Sequence, residues 1–237
     1  MKTAYLLVDL LSVIIPLIAG FHPKINLYKI FPFMLFSNLI VMMPFIIWDH
    51  IFVKLGIWGF NEKYILGYKI FNLPIEEYLF FICIPFACIF THFVIWERFK
   101  KDIQSDLYLL PLGLILLISL VFSIQSGIYT KVIGIFTLAS TFITFILFRS
   151  DFAKFMRKFI ISYFIILVPF VIVNGTLTGS YTPEPIVWYN DGQILGYRFL
   201  RIPVEDFLYT FSLIILNIGV TYLLLKANKN LKAQFHI

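Results

Sequence analysis

The sequence carries one pattern twice. Ile65-Leu66-Gly67-Tyr68-Lys69 precedes Pro74-Ile75-Glu76-Glu77-Tyr78-Leu79, and Ile194-Leu195-Gly196-Tyr197-Arg198 precedes Pro203-Val204-Glu205-Asp206-Phe207-Leu208, at a constant offset of 129 (194 − 65 and 203 − 74). Each copy sets two adjacent carboxylates at the start of a long apolar run. A fold that accepts this chain must hold two equivalent units. It must also find room for acids beside hydrocarbon, where charge is costly.

Composition decides the class of that fold. Only 14% of the 237 residues are charged and 60% are hydrophobic, whereas a soluble domain carries about 25% charged residues. Apolar runs long enough to span a bilayer recur along the whole chain. They predict seven spans, at 4–20, 30–53, 74–96, 107–124, 130–148, 158–176 and 203–225. The expected fold is an all-α membrane protein with seven transmembrane helices. Lys2 ahead of the first run resembles the start of a signal peptide. That run has a counterpart in span five, so it is read as a helix of the mature fold.

The repeat extends upstream of the acids. Pro44-Phe45-Ile46-Ile47-Trp48-Asp49 closes span two, and Pro169-Phe170-Val171-Ile172-Val173-Asn174 closes span six, at an offset of 125 (169 − 44). From Phe60-Asn61-Glu62 and Tyr189-Asn190-Asp191 onward the offset is 129, so the second loop holds four extra residues (129 − 125) around Thr182 to Pro185. Loops absorb such insertions. Residues 1–100 form the first three-span unit, 101–127 hold a linking helix, and 128–237 form the second unit with a basic tail. Three spans reverse the side of the chain and the linking helix restores it. The units are then expected to be parallel repeats about an axis along the membrane normal, with both acid pairs at one depth.

Of the 19 Lys and Arg, seven lie on the motif side: Lys2, Lys54, Lys63, Lys69, Lys131, Arg198 and Arg201. The other twelve include Arg98-Phe99-Lys100-Lys101, Lys154 to Lys158, and Lys226, Lys229 and Lys232. The positive-inside rule puts that second side, with the C-terminus, in the cytoplasm and the motif side opposite, in a multi-pass protein of the cell membrane. The net charge of +6 then concerns topology and lipid headgroups, not nucleic acid.

Pro74 and Pro203 suit the first turn of a helix, and an acid there meets the favourable end of the helix dipole. One Pro-x-Glu is therefore a structural pattern. Its recurrence as adjacent acids, each after a Gly-Tyr-basic loop, points to chemistry. Neighbouring helix positions lie about 100° apart, so one acid of each pair faces the interior. Glu76 and Glu205 are identical in both halves and are favoured over Glu77 and Asp206 as the essential pair. Crowded, desolvated acids retain a proton on at least one of them, and a protonated acid beside a carboxylate is an acid/base set. Asp49 and Asn174 end the preceding spans on the same side and are supporting polar candidates. Asn61 and Asn190 are weaker ones, since both also suit turns. Tyr68 and Tyr197 read as interfacial anchors. Cys83 and Cys88 read as buried thiols. The four histidines are scattered and no glycine-rich dinucleotide fingerprint or P-loop occurs, so neither metal nor cofactor is expected.

The duplicated Pro-x-Glu-[Glu/Asp] motifs, on apolar helices in two fused three-span units, resemble the membrane-integral lycopene cyclase domain family in its fused two-repeat form. The resemblance implies a role in carotenoid biosynthesis. The linear ψ-end groups of lycopene would close to rings, typically β-ionone, without net redox change. It implies Glu76, Glu77, Glu205 and Asp206 as the motif acids and a lipid-soluble carotenoid, met among membrane lipids, as the partner. Ring closure passes through a tertiary carbocation, which aromatic faces stabilise and a dry pocket protects. Trp48, Tyr78, Phe80, Phe81, Phe207, Tyr209 and Phe211 are the candidate lining residues. The halves differ there: Phe81 corresponds to Thr210 and Trp48 to Val173. Two rivals are a proton-coupled small-solute transporter and a non-catalytic carotenoid-binding protein. The near absence of ionisable groups from Phe80 to Phe90 and Phe211 to Val220 weighs against the transporter. Lack of an Asp-x-x-x-Asp pair in the motif-side loops weighs against a membrane prenyltransferase.

Overall fold

The computed structural model describes residues 2–98 and 105–228. Phe99, Lys100, Lys101, Lys229 and Lys232, which entered the charge reading, lie outside the described residues. Among the described residues the helices are α1 (Ala4–Gly20), α2 (Phe31–Lys54), α3 (Ile75–Arg98), α4 (Leu109–Ser123), α5 (Ile128–Phe148), α6 (Phe152–Leu177) and α7 (Glu205–Ala227). Five segments are long and apolar enough to cross a membrane: Tyr28–Lys54, Ile75–Glu97, Asp106–Ser123, Ile128–Leu177 and Glu205–Ala227. The fourth, of 50 residues, contains both α5 and α6, joined by one tight turn at Arg149–Asp151. α1 is equally apolar but shorter, at 17 residues. The protein is therefore a mostly helical membrane protein.

Helix positions follow the apolar runs, with one clear difference. α6 begins at Phe152, six residues before the expected 158 (158 − 152). Lys154, Arg157 and Lys158 end the apolar run without ending the helix, because long basic side chains reach outward from a helical backbone. Arg157 does so to Asp106, at 2.8 Å.

The two halves pack alike: α1 lies on α3, and α5 lies on α7. α2 packs on both α3 and α7, and α6 packs on α3. In hydrocarbon, polar side chains tie helices together. Ser37 Oγ of α2 donates to the Asn217 carbonyl of α7 at 2.7 Å, and Asn38 Nδ2 donates to the Ile82 carbonyl of α3 at 2.8 Å. His92 of α3 bridges Ser162 of α6 at 2.8 Å and Tyr222 of α7 at 3.1 Å, far along α3 from the acids.

Short strands organise the motif end. β1 (Trp58–Phe60), β2 (Lys69–Ile70) and β3 (Leu73–Pro74) precede α3, and β4 (Val187–Tyr189), β5 (Arg198–Phe199) and β6 (Ile202–Pro203) precede α7. Each half forms a hairpin, β2 with β3 and β5 with β6, that sets the basic motif residue opposite the motif proline. In the first hairpin Phe71 and Asn72 take φ of 47° and 64°, as a two-residue type I′ turn demands. Gly67 and Gly196 take φ of 94° and 82°, a conformation that a side chain disfavours. They turn each loop back over the start of its helix. Lys69 pairs with Glu62, and Arg198 pairs with Asp191 at 2.8 Å. β1 joins β4 antiparallel, with Gly59 facing Trp188, its own counterpart (188 − 59 = 129). Equivalent strands paired about their own midpoint are what a two-fold relation between the halves produces.

Candidate active site

The first acid of each pair binds its own loop. Glu76 Oε1 accepts the Leu66 backbone N–H at 2.6 Å, and Glu205 Oε1 accepts the Leu195 N–H at 2.7 Å. Glu205 Oε1 also accepts the Thr130 hydroxyl at 2.6 Å. Leu66 and Leu195 each precede the glycine with positive φ, so these bonds fasten the Gly-Tyr-basic loop to the helix start. Glu76 and Glu205 are both 0% exposed, and the second oxygen of each has no partner.

The second acid of each pair faces a cavity instead. Glu77 and Asp206 both line a cavity of about 570 Å³ bounded by α1, α3, α6 and α7. Identity between the halves favours Glu76 and Glu205, whereas the cavity is lined by their neighbours Glu77 and Asp206. The strands β1 and β4 roof the cavity through Trp58, Phe60, Val187 and Tyr189. Its far end reaches Thr91, fourteen helix positions (91 − 77) and so about 21 Å from Glu77. Leu11 and Ile15 of α1 and Ile172 of α6 line it and are also exposed, so it opens sideways between α1 and α6 on an apolar flank.

The two acids have opposite surroundings. Asp206 Oδ1 accepts the Tyr129 hydroxyl at 2.6 Å. Asp206 Oδ2 accepts Asn174 Nδ2 at 2.7 Å and the Tyr189 hydroxyl at 3.0 Å. Three donors aimed at one carboxyl favour its charged form. Burial, and then the Asp206 charge, push the Tyr189 phenol well above its ordinary value, so it remains a donor. Glu77 Oε2 accepts the Tyr5 hydroxyl at 2.6 Å, the counterpart of the Tyr129 bond. In place of an asparagine, however, Glu77 has the buried Asp49 as its neighbour. No donor reaches either oxygen of Asp49, which is 1% exposed. Neighbouring buried carboxyl groups disfavour double ionisation, and a shared proton would satisfy both.

Sequence reasoning missed Asp9. It is 0% exposed on α1, and both its oxygens lack a donor. A single acid within an apolar helix was the available signal, but its counterpart is Ile133, so the repeat did not mark it. Asp9, Asp49, Glu76 and Glu77 make the first half an acid-rich interior. Tyrosine and asparagine, rather than lysine or arginine, supply the side-chain donors that reach Glu77 and Asp206.

The aromatic candidates divide. Phe80 and Tyr209 line the cavity. Trp48 and Phe81 sit in a packed cluster on the opposite side of the α3–α7 layer. Phe211 packs on Phe159 and Tyr163, Phe207 packs on Phe170 and Phe199, and the Tyr78 hydroxyl donates to the Ile70 carbonyl at 3.0 Å. Tyr5, Trp58, Phe60 and Tyr189, unmarked by the repeat as site residues, complete the aromatic wall around the acids. Asn174 and Asp49 join the site. Asn61 and Asn190 serve the loops: Asn61 Nδ2 donates to Glu184 at 3.0 Å, and Asn190 Oδ1 accepts the Gly192 N–H at 3.0 Å.

Two buried acids, Glu77 and Asp206, thus share one largely apolar cavity. The family model described as lycopene cyclase matches residues 2–95 and 126–224. The chain belongs to the lycopene cyclase family. Its two matched regions contain the two motif copies, and the unmatched stretch between them contains α4. Membership implies an enzyme of carotenoid cyclisation with a carotenoid substrate. No curated protein and no solved structure matches the chain.

Proposed function

We propose that this lycopene cyclase family member closes the ψ-end groups of lycopene to β-ionone rings by acid catalysis. Glu77, sharing a proton with Asp49, is the donor, and Asp206 is the base. The observation that carries this reading is the contrast between counterpart acids in one cavity: Glu77 faces another carboxyl, while Asp206 receives three donors.

The steps balance. Glu77 gives its proton to the less substituted carbon of the terminal alkene, which leaves a tertiary cation. The next alkene along the chain attacks that cation, forming the ring bond and moving the positive charge onto the ring. Asp206 removes an adjacent ring proton, which creates the ring alkene. One proton enters and one leaves, so the product is an isomer of the substrate. The aromatic wall of Tyr5, Trp58, Phe80 and Tyr209 stabilises the passing cation, and the roof of β1 and β4 keeps water from capturing it. Glu76 and Glu205 hold the loops that carry this roof.

The same reading takes the molecule as seven spans in two parallel repeats, 1–100 and 128–237, joined by a linking helix. The pairing of β1 with β4 and the repeated α1–α3 and α5–α7 packing support it. It places the protein in the cell membrane with the C-terminus cytoplasmic, supported by the distribution of Lys and Arg. The side opening between α1 and α6 suits a substrate dissolved in lipid.

Expression in a lycopene-accumulating bacterial host, with pigment analysis, tests the activity. Conversion to β-carotene is expected. Unchanged lycopene beside membrane-inserted protein refutes the proposal, and ε or γ rings would correct the ring type.

A further inference from the structure

We infer that the fold contains one substrate chamber rather than two, and that Trp48, Phe81 and Phe136 close the second. The inference rests on the cyclase reading for the identity of the occupant, a linear isoprenoid hydrocarbon. Its geometric part rests on the cavity alone.

The halves repeat, so the cavity between α1, α3, α6 and α7 has a counterpart position between α5, α7, α2 and α3. Aromatic side chains fill that position. Trp48, Phe81 and Phe136 pack there with Phe45, Leu213 and Tyr209. The ring centroids of Trp48 and Phe136 are 5.3 Å apart, those of Phe45 and Phe136 5.1 Å, and those of Phe45 and Phe81 5.8 Å. At the open chamber the corresponding residues are Val173 for Trp48 and Thr210 for Phe81, with Ser12 for Phe136 (136 − 12 = 124, the offset that also relates Tyr5 to Tyr129). All three line the cavity. Three aromatics on one side therefore replace a valine, a threonine and a serine on the other. The Trp48 indole N–H is buried with no acceptor, so this side chain is not held there by a hydrogen bond. It fills volume.

A duplicated fold thus keeps both acid pairs but one place for substrate. The chamber takes one end group at a time. A carotenoid with two linear ends enters end-on between α1 and α6, and must leave and return reversed for its second ring. The half-cyclised carotenoid is a released intermediate rather than a bound one.

The test uses the full chain in phosphatidylcholine nanodiscs with lycopene as the probe. One lycopene per chain is expected in the conversion-deficient Asp206→Asn protein. Val173→Trp and Thr210→Phe, which copy the plug into the chamber, each lower bound lycopene and conversion by about tenfold or more, as overfilling a site does. Phe136→Leu and Trp48→Phe leave both within about twofold. Thermal unfolding of each variant separates a filled chamber from a misfolded protein, and the two plug-copying variants act independently. With wild-type protein, added unlabelled monocyclic carotenoid dilutes the label passing from lycopene into bicyclic product. Two lycopenes per chain, undiluted label, or full binding by folded Val173→Trp and Thr210→Phe would overturn the inference. Binding of one lycopene without cyclisation would leave the chamber standing and refute the reaction instead. No binding by any form would overturn both.

Discussion

Replacing Asp206 by asparagine preserves shape and removes the charge that the proposed base needs. Asp206 accepts bonds from Tyr129, Asn174 and Tyr189 at 2.6, 2.7 and 3.0 Å. A bond to a charged acceptor contributes about 1.5–3 kcal/mol and a neutral one about 0.5–1.5, so three bonds lose roughly 3 kcal/mol in total. Removing a buried charge offsets this, because its desolvation costs several kcal/mol. Both tyrosine hydroxyls can rotate and the Asn174 amide can flip to meet the new NH2 group. Stability should therefore change little. Catalysis should not survive: a general base contributes about 10²–10⁴ in rate, or about 3–5 kcal/mol of barrier. The assay is the initial rate of lycopene consumption in membranes at matched protein level. Glu205→Gln is the control, since its Oε1 still accepts the Leu195 N–H. It should retain activity within about tenfold, the loss coming from one unpartnered amide. Asp206→Asn within about tenfold of wild type, or Glu205→Gln as damaged as Asp206→Asn, would refute the division of roles between the two acids.

Asp49→Asn gives the first half the asparagine of the second and removes the carboxyl proposed to share a proton with Glu77. Conversion should fall by about 10²-fold or more, and an unaffected rate would remove Asp49 from the donor. In deuterated water the product should carry deuterium in each new ring, read by mass spectrometry; rings free of deuterium would exclude solvent-derived protonation. Gly67→Ala forces a side chain onto φ of 94°, at a cost of about 1–3 kcal/mol. The melting temperature should drop as the Leu66 bond to Glu76 loosens. Lys63 pulls the exposed Glu184 below its ordinary carboxylate range, first through their hydrogen bond, and is itself raised by it. Glu184's contribution is lost only as pH falls through that lowered value and Lys63's only as pH rises through its raised one, so Lys63→Met should leave the neutral-pH activity profile unchanged.

Much of the architecture was legible in the chain. Apolar runs alone located the helices, because a backbone in hydrocarbon must satisfy its own hydrogen bonds. The duplicated motif located the four acids and the loops that approach them. It could not rank the acids. Identity between halves marked Glu76 and Glu205, and both make the same bond, to the Leu66 or Leu195 N–H. Asp9 carried no repeat signal at all. The aromatic candidates were chosen by nearness in sequence, and only Phe80 and Tyr209 reached the cavity, since which face of a helix is lined and which is packed depends on the neighbouring helix.

Sequence by itself determined that this is a two-unit helical membrane protein with paired acids at two helix starts, and placed it by resemblance among lycopene cyclases. Tertiary structure decided which acid of each pair lines the cavity, that Glu77 neighbours a carboxyl while Asp206 faces donors, and that aromatic side chains fill one of two equivalent positions. The physical reason is that burial and hydrogen-bond partners belong to three-dimensional neighbours. Asp49 and Glu77, or Trp48 and Phe136, lie on different helices, and nothing in their spacing along the chain records that they touch.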